Sequence, residues 1–134
     1  MFLLKEGKVK TLSLPVTAST AIAQGALVAF SSGKLIAATS STASNLLVGV
    51  LKKAIVATDS DYATDSRLVE VNVPTEKNTE WEFDCGASLV VGDVGYLADL
   101  TDSVTVNRGA TSVKVVRITK VISTTKGRGI ILFA

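Results

Sequence analysis

The chain has 134 residues, a formal net charge of +2, and 47% hydrophobic residues of which few are aromatic. That length is one domain with room for a sizeable core, and the absence of any long polar or charged block excludes disorder over most of it. With no histidine in the sequence, it has no imidazole base, no Ser-His-Asp arrangement and lacks the commonest zinc ligand.

Residues 1–7 read as an arm: the apolar tip Phe2-Leu3-Leu4, then Lys5-Glu6, then Gly7. A secretion signal needs a longer apolar stretch, so the sequence predicts synthesis in the cytoplasm. Residues 8–16 alternate, with Lys10, Leu12, Leu14 and Val16 on one face, and predict a weak strand stopped by Pro15. Residues 1–14 are therefore expected to be an arm and first strand, ahead of a single β-barrel domain over 15–134. Residues 17–24 are small and polar and predict a loop. Gly25 then opens a strand over 26–30, and Ser31-Ser32-Gly33-Lys34 predicts a hairpin to a strand over 35–38. Residues 39–45 have no apolar anchor and are expected to be a loop. Residues 46–57 predict one long strand, with Gly49 marking a bulge or a close backbone approach; the Lys52-Lys53 interruption leaves a one-sided helix as the alternative, against which Gly49 and the β-branched content argue.

The second half continues in the same vein. Residues 67–73 alternate, with Val69, Val71 and Val73 facing one way, and Pro74 ends them. Residues 79–85 alternate most sharply, with Trp81, Phe83 and Cys85 expected in the core and Glu80, Glu82 and Asp84 toward water. Further strands are expected over 94–97, 104–107, 113–123 and 130–133, with turns at Arg108-Gly109 and over 126–129. No segment carries a helical period.

Two stretches echo each other: Gln24-Gly25-Ala26-Leu27-Val28-Ala29-Phe30 and Val91-Gly92-Asp93-Val94-Gly95-Tyr96-Leu97. With Gly25 laid on Gly92, residues 46–51 fall on 113–118 and Ala54-Ile55 falls on Val121-Ile122. Residues 68–73 match 129–133 at a shorter spacing. Such internal similarity predicts one β-module used twice, over about 21–73 and 88–134. The expected fold is all-β, about ten short strands closing as a barrel or a sandwich.

Charge is lopsided. Residues 59–102 hold eleven of the twelve acids with only Arg67 and Lys77 as bases, a net of −9, while the remainder has a net of +11. Either folding mixes the two sets, or a dipolar surface remains, fit for head-to-tail packing or a charged partner. Asp59, Asp61, Asp65 and Glu70 follow the spacing of a calcium loop, but Ala63 stands at a ligand position and Thr64 at the turn glycine, so a solvated acidic loop is expected. Cys85 has no imidazole partner and is expected to be core. Gly92/Gly95 and Gly127/Gly129 open no helix and read as turn glycines rather than a phosphate loop. Trp81 and Phe83 are flanked by acids, which argues against a nucleic-acid face. Mean hydropathy is +0.41, yet no apolar run approaches a membrane helix, and the excess points to intersubunit contact. The sequence predicts no enzyme, no cofactor, no metal, no specific nucleic acid and no membrane.

Residues 21–30 (AIAQGALVAF), 33–38 and 46–55 (LLVGVLKKAI) resemble the first half of small tailed-bacteriophage head decoration proteins. Residues 91–97 (VGDVGYL), 103–107 (SVTVN), 113–122 and 129–133 (GIILF) resemble the second half, which has a valine-glycine-aspartate turn followed by tyrosine. The likeness covers most of 15–134. The chain departs from the pattern in residues 8–16 and in the aromatic, acidic residues 81–85. The resemblance implies a virion structural protein, made in the host cytoplasm, that stabilises the outer surface of an icosahedral head by binding the major capsid protein between capsomers. It also implies a homo-oligomer, a trimer or else a dimer. Phe2, Leu3, Leu4, Lys5, Lys8 and Lys10 are the candidate capsid-binding residues, gripping by strand addition. Alternative readings are a tail-tube subunit, a head-fibre base, or a small β-barrel ligand-binding module.

Overall fold

Side chains branched at Cβ favour extended backbone, and the computed structural model, which describes residues 1–133, is built of strands. β1 (Leu3–Glu6), β2 (Val9–Val16), β3 (Leu27–Ser31), β4 (Lys34–Ala37), β5 (Leu47–Leu51) and β6 (Arg67–Pro74) form the first half. β7 (Glu80–Cys85), β8 (Leu97–Leu100), β9 (Thr105–Asn107), β10 (Val116–Val121) and β11 (Lys126–Ile131) form the second. The helical pieces among the described residues are two short 3-10 turns, Ser44–Leu46 and Val91–Asp93.

Each half closes into a barrel, and the two barrels have one topology. In the first, antiparallel pairs run β2–β6–β5–β3–β4, and β4 returns parallel to β2. In the second they run β7–β11–β10–β8–β9, and β9 returns parallel to β7. The expected all-β fold of two similar halves is therefore the observed one. Each repeat also includes a leading strand, β2 or β7, that the sequence echo did not contain. A boundary between residues 14 and 15 falls inside β2, which belongs to the first barrel.

Hydrogen bonds fix which residues correspond. Gly25 and Gly95 both hold positive φ, 74° and 93°, a conformation in which a Cβ is strained. The Gly25 N–H donates to the Leu51 carbonyl and the Gly95 N–H to the Ile118 carbonyl. Gly25 thus matches Gly95, not Gly92. The 3-10 turn at Val91–Asp93 delays the strand, so β8 begins at Leu97 and takes in Ala98 and Asp99 instead of spanning 94–97.

Other expectations are corrected by sterics. The long strand over 46–57 ends at Leu51, bends at Lys52-Lys53, and Ile55 returns only as an isolated bridge to Ile22. Gly49 is a close approach, because a Cβ there would stand 2.4 Å from the Asn72 carbonyl oxygen. Gly127 and Gly129 lie inside β11 rather than in a turn. A Cβ would meet the Phe83 ring at 2.8 Å from Gly127 and the Arg117 carbonyl oxygen at 2.6 Å from Gly129, so these glycines make room for neighbours across the sheet. Pro15 does not stop β2, which pairs with β6 through Val16.

Two apolar clusters fill the fold. Val16, Val28, Leu35, Leu51, Val69 and Val71 line the inside of the first barrel. The larger cluster joins Trp81, Phe83, Cys85, Leu100, Val106 and Ile118 of the second barrel to Leu27, Ala29, Leu47 and Val50 on the outside of the first. β3 is consequently buried on both faces, which is why Leu27-Val28-Ala29 reads as a continuous apolar run instead of alternating.

Candidate functional site

The six residues expected to grip a partner do not act as one free arm. Phe2 is buried in the larger core cluster, and its N–H donates to the Gly25 carbonyl at 2.8 Å. Residues 3–6 then add as β1 to one edge of β7, with Leu3 opposite Glu82 and Leu4 opposite Trp81. Lys5 Nζ lies 3.4 Å from the Glu82 carboxylate. The correction has a plain physical cause. An apolar tip followed by a lysine finds, in its own chain, an open acidic strand edge beside an apolar seam. Leu3 and Leu4 stay part-exposed, and Lys8, just before β2, and Lys10, within it, are exposed and lie outside β1.

The turn singled out in the sequence is a second candidate surface. Asp93 is buried and binds Arg108 through both oxygens, Nε to Oδ2 at 2.8 Å and Nη2 to Oδ1 at 3.0 Å. The Val90 N–H also donates to Oδ2, at 2.8 Å. The Arg108 guanidinium, with help from that N–H, holds the Asp93 carboxyl below its usual 3.8, and Asp93 in turn raises Arg108. Around this fixed centre Val90, Val91, Val94 and Tyr96 stand 53%, 82%, 49% and 52% exposed. Four large apolar side chains on a rigid turn make an exposed ridge.

Charge is mixed in space. Of the nine ion pairs among the described residues, only the two made by Arg67 lie within residues 59–102, and the rest join an acid of that window to a base outside it. Asp59 and Asp61 hold Arg67, Asp65 pairs with Lys34, and Glu70 with Lys52. The Val56 N–H and then Arg67 hold Asp59 below 3.8, and Lys34 does the same for Asp65. The four acids of the calcium-like spacing are thus each engaged by a base. Lys126 of β11 lies 2.8 Å from Asp84 of β7 and lowers the pKa of Asp84, while that of Lys126 is raised.

Asp99 went unread in the sequence. Its buried carboxylate accepts the N–H groups of Ser112, Val113 and Lys114 at 3.0, 2.9 and 2.7 Å, shaping the loop into β10. An acid within the apolar string Leu97-Ala98-Asp99-Leu100 was the available signal.

No protein-family model matches the chain, and no curated protein matches it in sequence. The resemblance to head decoration proteins rests on patterned glycines and strands.

Proposed function

We propose that this protein is a virion structural protein that decorates and stabilises the outside of a tailed-phage head, binding the major capsid protein between capsomers as a homo-oligomer, a trimer by preference. The observation that supports this reading is the turn over residues 90–96. It carries the resemblance most directly, and it presents Val90, Val91, Val94 and Tyr96 to solvent around the Asp93–Arg108 pair. A rigid apolar ridge of this kind fits a contact surface better than a site for chemistry. Since Phe2 is buried in the chain's own core, the ridge takes over the gripping role first assigned to the arm. A closed ring suits the local symmetry where capsomers meet, and several weak contacts held together bind firmly.

The test is to mix the purified protein with undecorated phage heads and image them by negative stain. Saturable binding is expected, and Val91→Asp with Tyr96→Asp should weaken it by about a hundredfold, the scale of losing a central apolar contact. Heads that stay bare at saturating protein would overturn the reading.

A further inference from the structure

The two barrels share one topology but differ in how one strand edge is finished. Register places Leu12 where Trp81 stands: Leu12 faces Val71, which faces Leu51, and Trp81 faces Gly129, which faces Ile118. Val16 beside Leu35 corresponds in the same way to Cys85 beside Val106. On β7 the edge away from β11 is taken by β9 at Asp84 and Cys85 and by β1 over Glu80, Trp81 and Glu82. On β2 the edge away from β6 is met by β4 at Val16 alone. On that edge no strand or loop backbone among the described residues pairs with the matching positions, Thr11, Leu12 and Ser13.

The first barrel therefore has the same slot that β1 fills in the second, left unfilled. Burial agrees. Trp81 and Phe83 are fully buried, whereas their counterparts Leu12 and Leu14 are only half-buried, and Lys10, Thr11 and Ser13 are exposed. Unpaired strand edges are templates for strand addition. In the filled slot β7 carries Glu80, Glu82 and Asp84, and the joining strand brings Lys5 to Glu82 while setting Glu6 opposite Glu80. The open slot starts from Lys8 and Lys10, which form no ion pair among the described residues. A second copy of this edge would offer these lysines no carboxylate, since residues 8–16 contain none, which disfavours it as the occupant.

We infer that the outer edge of β2, residues 10–14, accepts an extended acidic segment of the shell protein as a strand antiparallel to β2. The identity of the partner rests on the decoration reading above; the acceptor edge rests on the barrel comparison alone.

Amide hydrogen exchange tests it in two arms. In the first, the free protein is compared with protein bound to undecorated heads. Amides of residues 10–14 that are open in the free protein should slow by about tenfold or more on heads, as a new ladder forms. Lys8→Glu with Lys10→Glu, both exposed and unpaired, should weaken head binding by roughly tenfold. In the second arm the probe is a peptide with the sequence of residues 1–7 carrying Lys5→Glu, titrated onto the isolated protein. It should protect residues 10–14, and a Lys5 peptide should do so less. Head binding with no protection of residues 10–14 would overturn this inference and leave the decoration reading intact. Absence of any head binding would overturn the decoration reading, and the peptide arm would then decide the edge alone. Protection of residues 10–14 in concentrated protein without any additive would overturn the assigned occupant in favour of a second copy.

Discussion

The N–H of Phe2 donates to the carbonyl of Gly25 at 2.8 Å, tying the start of the chain to the glycine turn that opens β3. The same residue places its ring in the core shared by the two barrels, 2% exposed. The segment that looks like a tether is thus part of the fold, and its loss is a stability event before it is a binding event.

Phe2→Ala should cost about 3–5 kcal/mol, the usual range for emptying a buried aromatic position. Denaturant melts of the wild type and variant check it, and an unchanged midpoint would show that the ring is dispensable. Leu4→Ala, at a part-exposed position of β1, should cost far less.

Trp81 gives a second handle. Trp81→Ala should also cost about 3–5 kcal/mol and reduce solubility. Trp81→Phe should be much milder. The indole Nε1 is buried without a hydrogen-bond partner, and an unsatisfied buried donor costs about 1–3 kcal/mol, so removing it offsets part of the lost volume. Equal losses in the two variants would mean that the indole N–H does have a partner in solution.

Asp99→Ala removes the acceptor of three backbone N–H groups at once. Opening of the loop to water limits the damage, so a loss of about 2–4 kcal/mol is expected. Amide exchange should speed up at residues 112–114 first. Uniform acceleration across both barrels would instead indicate a global role.

The sequence made the strand content and the duplication legible because period-2 patterning and Cβ-branching are local signals. It misplaced Gly25 on Gly92 because the 3-10 turn at Val91–Asp93 inserts residues that no periodicity announces. It read Gly127 and Gly129 as turns because glycine serves both bends and close approaches, and only the Phe83 ring across the sheet decides between them. The docking of residues 1–6 was hidden for a different reason. An apolar tip before a charged stretch is the same string whether it hangs free or pairs with β7, nearly eighty residues on. Asp99 and the buried pairing of Asp93 needed the tertiary partners themselves.

Asp93 has its folded pKa lowered from 3.8, by Arg108 first and the Val90 N–H second. Asp59, Asp65 and Asp84 are lowered as well, with Val56, Lys34 and Lys126 as their leading causes. A carboxyl whose pKa is lower folded than unfolded binds fewer protons in the native state. Its stabilisation is therefore complete above the unfolded value and is lost as pH falls through the folded value. Thermal midpoints should hold steady from about pH 5 upward on this account and fall below about pH 4, near the ordinary range of these groups. The alkaline side follows the opposite rule: Lys126 is raised from 10.5 by Asp84, so its contribution is present below the unfolded value and fades as pH rises past the folded one. Asp93→Asn isolates the turn. The variant should be less stable than the wild type at pH 7, and the gap should narrow steadily as pH is lowered, because protonation does to the wild type what the substitution has already done. A gap that stays constant from pH 7 to pH 2.5 would mean that the Asp93 charge does not hold the turn and that packing alone presents the Val91 and Tyr96 ridge.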